Sequence, residues 1–482
     1  MKYIVVAFSL FFFFQSAAQK KVKSNDADKK FVVAEIEKAS PQYIDIARQI
    51  WGFAELGYQE SKSASLLEQL LVSNGFRIDK GVAGIPTAFV ASYGSGKPVI
   101  AILGEYDALP GLSQDSVPVR KALDDGGSGH GCGHNLFGTA SSAAAIAVKD
   151  WIAANHIPGT IRFYGTPAEE GGGAKIYMAR DGLFNDVDIV LHWHPSDRNN
   201  ANAESSLAVK TGLFRFYGKS AHAAASPEKG RSALDAVESM DLMVNMMREH
   251  ISSDARIHYV ITQGGKAANV VPDFAEVEYY VRHPDVKEVL SIWDRVVKAA
   301  EGAALGTGTT MKYEIISGMY NILPKEPLGK VMYANLLKTG GISYDPREMK
   351  FAESIQLSFD YTVPLPTTSA SIKPFSIGSF PASSDVGDIS WLVPTVGLGT
   401  ATWVPGTSAH SWQGVAANGM SIGFKGMINA AKTLAMTAVD LYTNPAIITE
   451  AKSDWARRRG DFQYKSLVGD RNPPLDYRSG KK

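Results

Sequence analysis

The chain has 482 residues, 45% hydrophobic and 20% charged, with 49 Lys and Arg set against 49 Asp and Glu. That length allows two or three domains of ordinary size. The zero net charge excludes the basic excess of a nucleic-acid binder, so no nucleic acid is expected among its partners. The single cysteine, Cys132, excludes an intramolecular disulfide.

Lys2, the apolar stretch 4–14 and the small residues Ser16-Ala17-Ala18 read as a signal peptide, residues 1–18, cleaved after Ala18. The apolar stretch falls short of the ~20 residues that span a bilayer. No later stretch reads as membrane-spanning, so the mature protein is expected to be periplasmic or secreted, with no membrane span after cleavage. Residues 20–30 are polar and read as a disordered leader. Ile36, Tyr43, Ile46, Ala47 and Ile50 have helical spacing, and Leu66, Leu67, Leu70 and Leu71 predict a second helix stopped at Asn74-Gly75. Residues 99–103 are wholly apolar and read as a buried strand, ending at Gly104-Glu105-Tyr106-Asp107. A Gly-rich loop leads into an Ala-rich helix over 136–154. Strand 160–165 runs into Pro-Ala-Glu-Glu, and strand 188–191 into His-Trp-His-Pro. Strands alternating with helices imply an α/β fold with a mostly parallel sheet.

The pattern changes near residue 207. Strand 207–217, helix 231–250, strands 256–262 and 274–282, helix 285–305 and strand 309–317 follow in order. This β-α-β-β-α-β order is ferredoxin-like. It predicts a second α+β domain, 207–322, inserted into a first domain formed by 19–206 and 323–482. The first sheet is expected to resume near Pro327. Residues 361–381 read as a long loop, 391–399 as a strand and 415–442 as a helix, with a polar tail after Asp470.

Four constellations carry chemistry. Cys132 and His134 sit where the Gly-rich loop enters a helix, and thiolate and imidazole both bind borderline divalent ions. Glu169 and Glu170 follow a buried strand. Adjacent residues there point oppositely, so one carboxylate can face a metal and the other a substrate. His192 and His194 follow the next strand, and His410 a Pro-Gly turn beyond the last. Each alone also reads as a buried thiol, a solvated acidic turn or a satisfied polar His. Together with Asp107 they cluster near the carboxyl ends of strands, where open α/β sheets place ligand sites.

As a set, GEYDALPGLSQ from Gly104, GHGCGHN from Gly129, AAAIAVK from Ala143, RFYG from Arg162, WHP from Trp193, AHAA from Ala221, GRSALDAV from Gly230, AEGAAL from Ala300 and SDVGD from Ser384 are similar to the aminoacylase and carboxypeptidase-type metallopeptidase superfamily, in its amidohydrolase branch. The resemblance covers roughly residues 40–445, with some divergence over 325–380. It implies a di-metal peptidase catalytic domain with an inserted dimerisation domain. The expected substrate is a small N-acyl or N-aroyl amino acid such as p-aminobenzoyl-glutamate, cleaved at a linear amide. Cys132, His134, Glu170, His194 and His410 match metal ligands for one or two zinc or manganese ions, with His192 competing with His194. Glu169 matches the general base and Asp107 the acid that supports the metal site. His222 matches a residue that reaches the partner subunit's site and stabilises the oxyanion. Asn269 and Arg282 are candidates for holding the substrate carboxylate. A divalent ion acidifies water and polarises the carbonyl, and Glu169 would carry the proton to the leaving amine. The resemblance also implies a homodimer or a homologous second subunit. A dipeptidase or general N-acyl amino acid hydrolase would use the same residues. A non-catalytic subunit is disfavoured, because base and ligands are all present.

Overall fold

The computed structural model describes residues 25–479. The expected signal peptide and residues 20–24 lie outside the described residues. Strands β1 (Arg77–Lys80), β2 (Phe89–Ser95), β3 (Val99–Gly104), β4 (Gly159–Gly165), β5 (Ile189–Ser196), β6 (Ala203–Ser205), β7 (Ala208–Tyr217), β8 (Arg256–Gln263), β9 (Phe274–His283), β10 (Thr310–Met319), β11 (Ile377–Ser379) and β12 (Thr395–Ala401) form three sheets. The main sheet has the order β1-β2-β4-β3-β5-β12. Its β4, β3, β5 and β12 run parallel, and β2 and β1 form an antiparallel flank.

Helices α1 (Asp26–Phe53), α2 (Ser61–Ser73), α3 (His134–Asn155), α4 (Ala174–Arg180), α5 (Ala233–Met247), α6 (Val286–Thr307), α7 (Glu326–Thr339), α8 (Pro346–Gln356), α9 (Val386–Leu392), α10 (Trp412–Asn418), α11 (Ser421–Thr443) and α12 (Pro445–Arg459) complete the chain. Ile100 and Ile102 of β3 pack into the core shared by α1, α3 and α11. Val99, Ala101 and Leu103 face the opposite layer, which holds α4 and α9. Burial on both faces explains the unbroken apolar run, and each fully buried Ile or Leu contributes about 1.5–3 kcal/mol. Helix α3 is buried along most of its length, and its alanines let α1 and α11 approach closely. Among the described residues no helix is long and apolar enough to cross a membrane.

The second large sheet is antiparallel, ordered β10-β7-β9-β8. Val237, Met240 and Val244 of α5 and Val289, Trp293 and Val296 of α6 pack on Phe214, Phe216, Val277 and Tyr279 of this sheet. The chain order β7-α5-β8-β9-α6-β10 is the ferredoxin-like order.

Several expectations fail locally. Residues 26–30 belong to α1, and Lys29 is buried in an ion pair with Asp440 at 2.6 Å. The main sheet does not resume near Pro327, where α7 begins; it returns only at β12. Trp391 lies in α9, not in a strand: its indole donates to the Asn321 carbonyl at 2.8 Å, and Pro394 separates the helix from β12. The helix expected over 415–442 is two helices, α10 and α11, separated by Gly419 and Met420.

Candidate active site

The parallel strands deliver their carboxyl ends to one rim. β3 ends at Gly104 and hands on Glu105 and Asp107. β4 ends at Gly165 ahead of Ala168, whose φ of 53° is strained for a residue with a Cβ. A tight turn follows, with the Gly171 amide on the Glu169 carbonyl and the Gly173 amide on the Ala168 carbonyl, both at 2.7 Å. His192 and His194 are within β5 rather than beyond it, because pairing with β12 continues to Ala401 opposite Ser196. Cys132 precedes Gly133, the glycine at φ 77° that starts α3; a Cβ there would meet Pro195 at 2.7 Å. Glycine thus lets the α3 start rest on the β5 end that carries His194. His410, at φ 59°, donates its amide to Gly131 at 3.2 Å.

Ligand-type atoms of Cys132, His134 and His194 lie within 4.8 Å of one another, and so do those of Cys132, Glu170 and His410. His192 joins neither group; its ring packs where Gly397 of β12 leaves room, since a Cβ there would stand 2.3 Å from it. The Cys132 thiol sits 3.4 Å from His194 Nε2, while His194 Nδ1 donates to the Pro195 carbonyl at 2.7 Å. His134 Nδ1 meets Asp107 Oδ1 at 2.8 Å, and the other Asp107 oxygen accepts the Glu170 amide at 2.9 Å. Asp107 thereby fixes both a candidate ligand and the segment bearing another, and orients the His134 ring so that Nε2 is the ligating nitrogen.

A third group, Glu105, His134 and Glu169, and a buried cation were not picked out from the sequence. Lys175, wholly buried, reaches Glu105 Oε1 at 2.7 Å and Asp385 Oδ1 at 2.6 Å. The only sequence signal was position: Glu105 falls just past a strand end, as Asp107 does. Burial raises the Glu105 carboxyl, but Lys175 and His134 more than offset that and hold it well below the usual range. Burial, with Glu105 and Glu170 close by, holds the Glu169 carboxyl well above it. Burial also pushes the His194 imidazole down, against the pull of Glu105. Glu105, Glu169 and Asp385 thus lie around one fixed cation, Lys175, with Asp107 and Glu170 beside them through His134 and the Glu170 amide. Carboxyl groups at this density around a single buried cation favour a further positive charge. The buried atoms His134 Nε2 and Glu170 Oε1 have no hydrogen-bond partner. Soft, borderline and hard donors in overlapping groups that share Cys132 fit divalent ions.

The remaining predicted residues lie outside this cluster. His222 and Asn269 are exposed, and among the described residues no hydrogen bond or ion pair joins them to it. The His222 Nδ1 accepts the Ala224 and Ala225 amides at 3.2 and 3.1 Å. Arg282 is half-buried on β9 and donates to Ser383 Oγ at 3.3 Å. The polar tail is part of the site's wall: Tyr477 Oη and Arg478 Nη2 both donate to the Glu170 carbonyl, at 3.1 and 3.0 Å.

Residues 101–349 match peptidase family M20/M25/M40. The chain is 42% identical over 452 residues to a p-aminobenzoyl-glutamate hydrolase subunit of Escherichia coli (strain K12), covering 88% of this chain and 94% of that one. It is 30% identical over 446 residues to the Xaa-Arg dipeptidase of Mus musculus, covering 89% and 92%. A dinuclear metal-binding peptidase of the M20 family from Bacillus subtilis has the same fold, with a TM-score of 0.57 at 17% identity, covering 84% of this chain and 99% of that one. The chain belongs to peptidase family M20/M25/M40 and is an amide-bond hydrolase.

Proposed function

We propose that the chain cleaves the linear amide of an N-aroyl or N-acyl amino acid, with p-aminobenzoyl-glutamate as the first substrate to test. The observation that carries the chemistry is the convergence of Cys132, His134, Glu170, His194 and His410 beside the half-buried Glu169. The choice of substrate leans on the likeness to the Escherichia coli hydrolase. Cys132, His134, Glu170, His194 and His410 would hold one or two divalent ions, with zinc suited to the thiolate and manganese to the carboxylate. Such an ion, when bound, supplies Lewis acidity toward the carbonyl and water. Glu169 takes the proton of the attacking water and passes it to the leaving nitrogen, two transfers that one carboxylate can make in turn. Asp107 keeps the His134 ring oriented.

The two amides on His222 Nδ1 put its proton on Nε2, the form that donates to an oxyanion. Because His222 is exposed and unconnected to the cluster, it is read as acting on a second subunit. Exposed Tyr259, Val260 and Ile261 on the edge strand β8, with Leu242 and Met246 on α5, support a dimer formed through this sheet. Either a second copy or a homologous subunit would serve. Arg282 and Asn269 are proposed to hold the substrate carboxylate, a task that suits a guanidinium. The N-terminal sequence supports export to the periplasm or beyond. A dipeptidase is the second reading, favoured by the likeness to the Xaa-Arg dipeptidase.

The test is a panel of p-aminobenzoyl-glutamate, N-acyl amino acids and Xaa-Arg dipeptides, assayed with zinc- or manganese-loaded protein and with Glu169→Gln. The expected result is preferred cleavage of p-aminobenzoyl-glutamate, abolished in the variant. Faster turnover of dipeptides would replace the substrate assignment, and undiminished turnover by Glu169→Gln would remove Glu169 from the role of base.

A further inference from the structure

Glu105 lies at the rim but outside the ligand set that the motifs suggest. Its two oxygens have different surroundings. Oε1 accepts Lys175 at 2.7 Å. Oε2 stands 3.0 Å from His134 Nε2, inside hydrogen-bonding distance, yet both atoms are buried and neither has a hydrogen-bond partner. The distance is right for a hydrogen bond and the direction is wrong.

That arrangement is what neighbouring ligands of one ion show. Two donor atoms each about 2.1 Å from an ion, at angles between octahedral and tetrahedral, are roughly 3.0–3.4 Å apart. The same edge occurs across the cluster, where His410 Nε2 and the partnerless Glu170 Oε1 are 3.1 Å apart. Glu105, His134 and Glu169 also bring ligand-type atoms within 4.8 Å of one another. The His134 ring cannot turn away, because its Nδ1 is held by Asp107 at 2.8 Å. Nor can the Glu105 carboxylate, because Lys175 is itself anchored on Asp385 at 2.6 Å.

We propose that Glu105 is a further metal ligand, sharing an ion with His134. Lys175 and Asp385 are then positioning residues that hold the carboxylate in place. The inference rests on the reading of the cluster as a metal centre. It adds an oxygen donor to one ion and leaves Glu170 and His410 to the other. The bland alternative is that Glu105 only neutralises Lys175.

Zinc alone, titrated against a chromophoric chelator, separates these readings. Wild type, Glu105→Ala and Asp385→Asn are compared, since both substitutions remove a counter-ion of Lys175 and only the first touches the ion. A ligand role predicts that Glu105→Ala weakens one zinc site at least about tenfold more than Asp385→Asn does, in line with the cost of losing donors at metal sites. Equal effects, or none, would overturn the proposal. Should Glu105→Ala not fold, the wild type decides: crystals loaded with zinc should show an anomalous peak about 2.0–2.2 Å from Glu105 Oε2. A peak more than about 3 Å away would overturn it equally. Wild type that takes up no zinc would instead remove the metal-centre reading itself, an outcome distinct from either.

Discussion

The last residues of the chain offer a sharp test of how the site is held. Tyr477 and Arg478 place two donors on the carbonyl of Glu170, a candidate ligand next to the candidate base. Tyr477 is seated by edge-on contact with Tyr58, ring centroids 5.6 Å apart, and by Gly57, where a Cβ would strike the Tyr477 hydroxyl. Tyr477→Phe keeps the ring and removes one neutral hydrogen bond, about 1 kcal/mol. Arg478→Ala removes a charged one, in the range of about 1.5–3 kcal/mol, and because Arg478 is only half-buried the low end applies. Removing both leaves the Glu170 carbonyl to water, a loss of about 2.5 kcal/mol. If that loss falls on the placement of Glu169 and Glu170, kcat/KM should drop roughly 70-fold. The assay is steady-state hydrolysis with zinc affinity measured in parallel. The double variant should lose rate and zinc affinity together, with Tyr477→Phe the milder change. A double variant with wild-type rate and affinity would overturn this role and leave the tail a passive covering.

Other expectations follow from the same geometry. Cys132→Ser exchanges the thiolate common to both ligand groups for a weak hydroxyl donor. Bound zinc, read by elemental analysis, should fall, and hydrolysis should drop at least ~100-fold. Mixing Glu169→Gln with His222→Ala chains, each nearly inactive, should restore about a quarter of wild-type activity if His222 acts across a dimer, and nothing if it acts within one chain. Lys325, 2% exposed, donates to the carbonyls of Leu323 and Pro324, and burial pushes its ammonium down to about 7. Its folded pKa is below the unfolded one, so the unfolded chain binds more protons between pH about 7 and 10.5 and stability rises with pH across that window. Lys325→Met should flatten that rise, of order a few kcal/mol, in urea melts taken at about pH 7 and pH 10.

The skeleton of the site is readable in the sequence because short signals govern it. The two-sided burial of β3 writes an unbroken apolar run, and the ferredoxin-like order of β7 to β10 shows as a change in periodicity. Cys132 and His134 are close in the chain and in space, so their spacing carries the geometry. Lys175 and Asp385 were opaque for the opposite reason: 210 positions separate partners whose pairing depends on tertiary packing. The tail reads only as polar, since nothing in its composition records its contacts with Tyr58 and the Glu170 carbonyl. Trp391 misled because an apolar stretch of that length reads equally as strand or buried helix, and only Pro394 marks the change.

The decisive measurement is of metal stoichiometry against rate. Purified wild-type chain is stripped with a chelator, then titrated with zinc or manganese while hydrolysis of p-aminobenzoyl-glutamate is followed. A metal-dependent hydrolase should show no turnover when stripped, and activity that rises with bound metal to a plateau at one or two ions per chain. Full activity in the stripped protein, or saturation with metal and no cleavage of any amide substrate, would contradict that assignment.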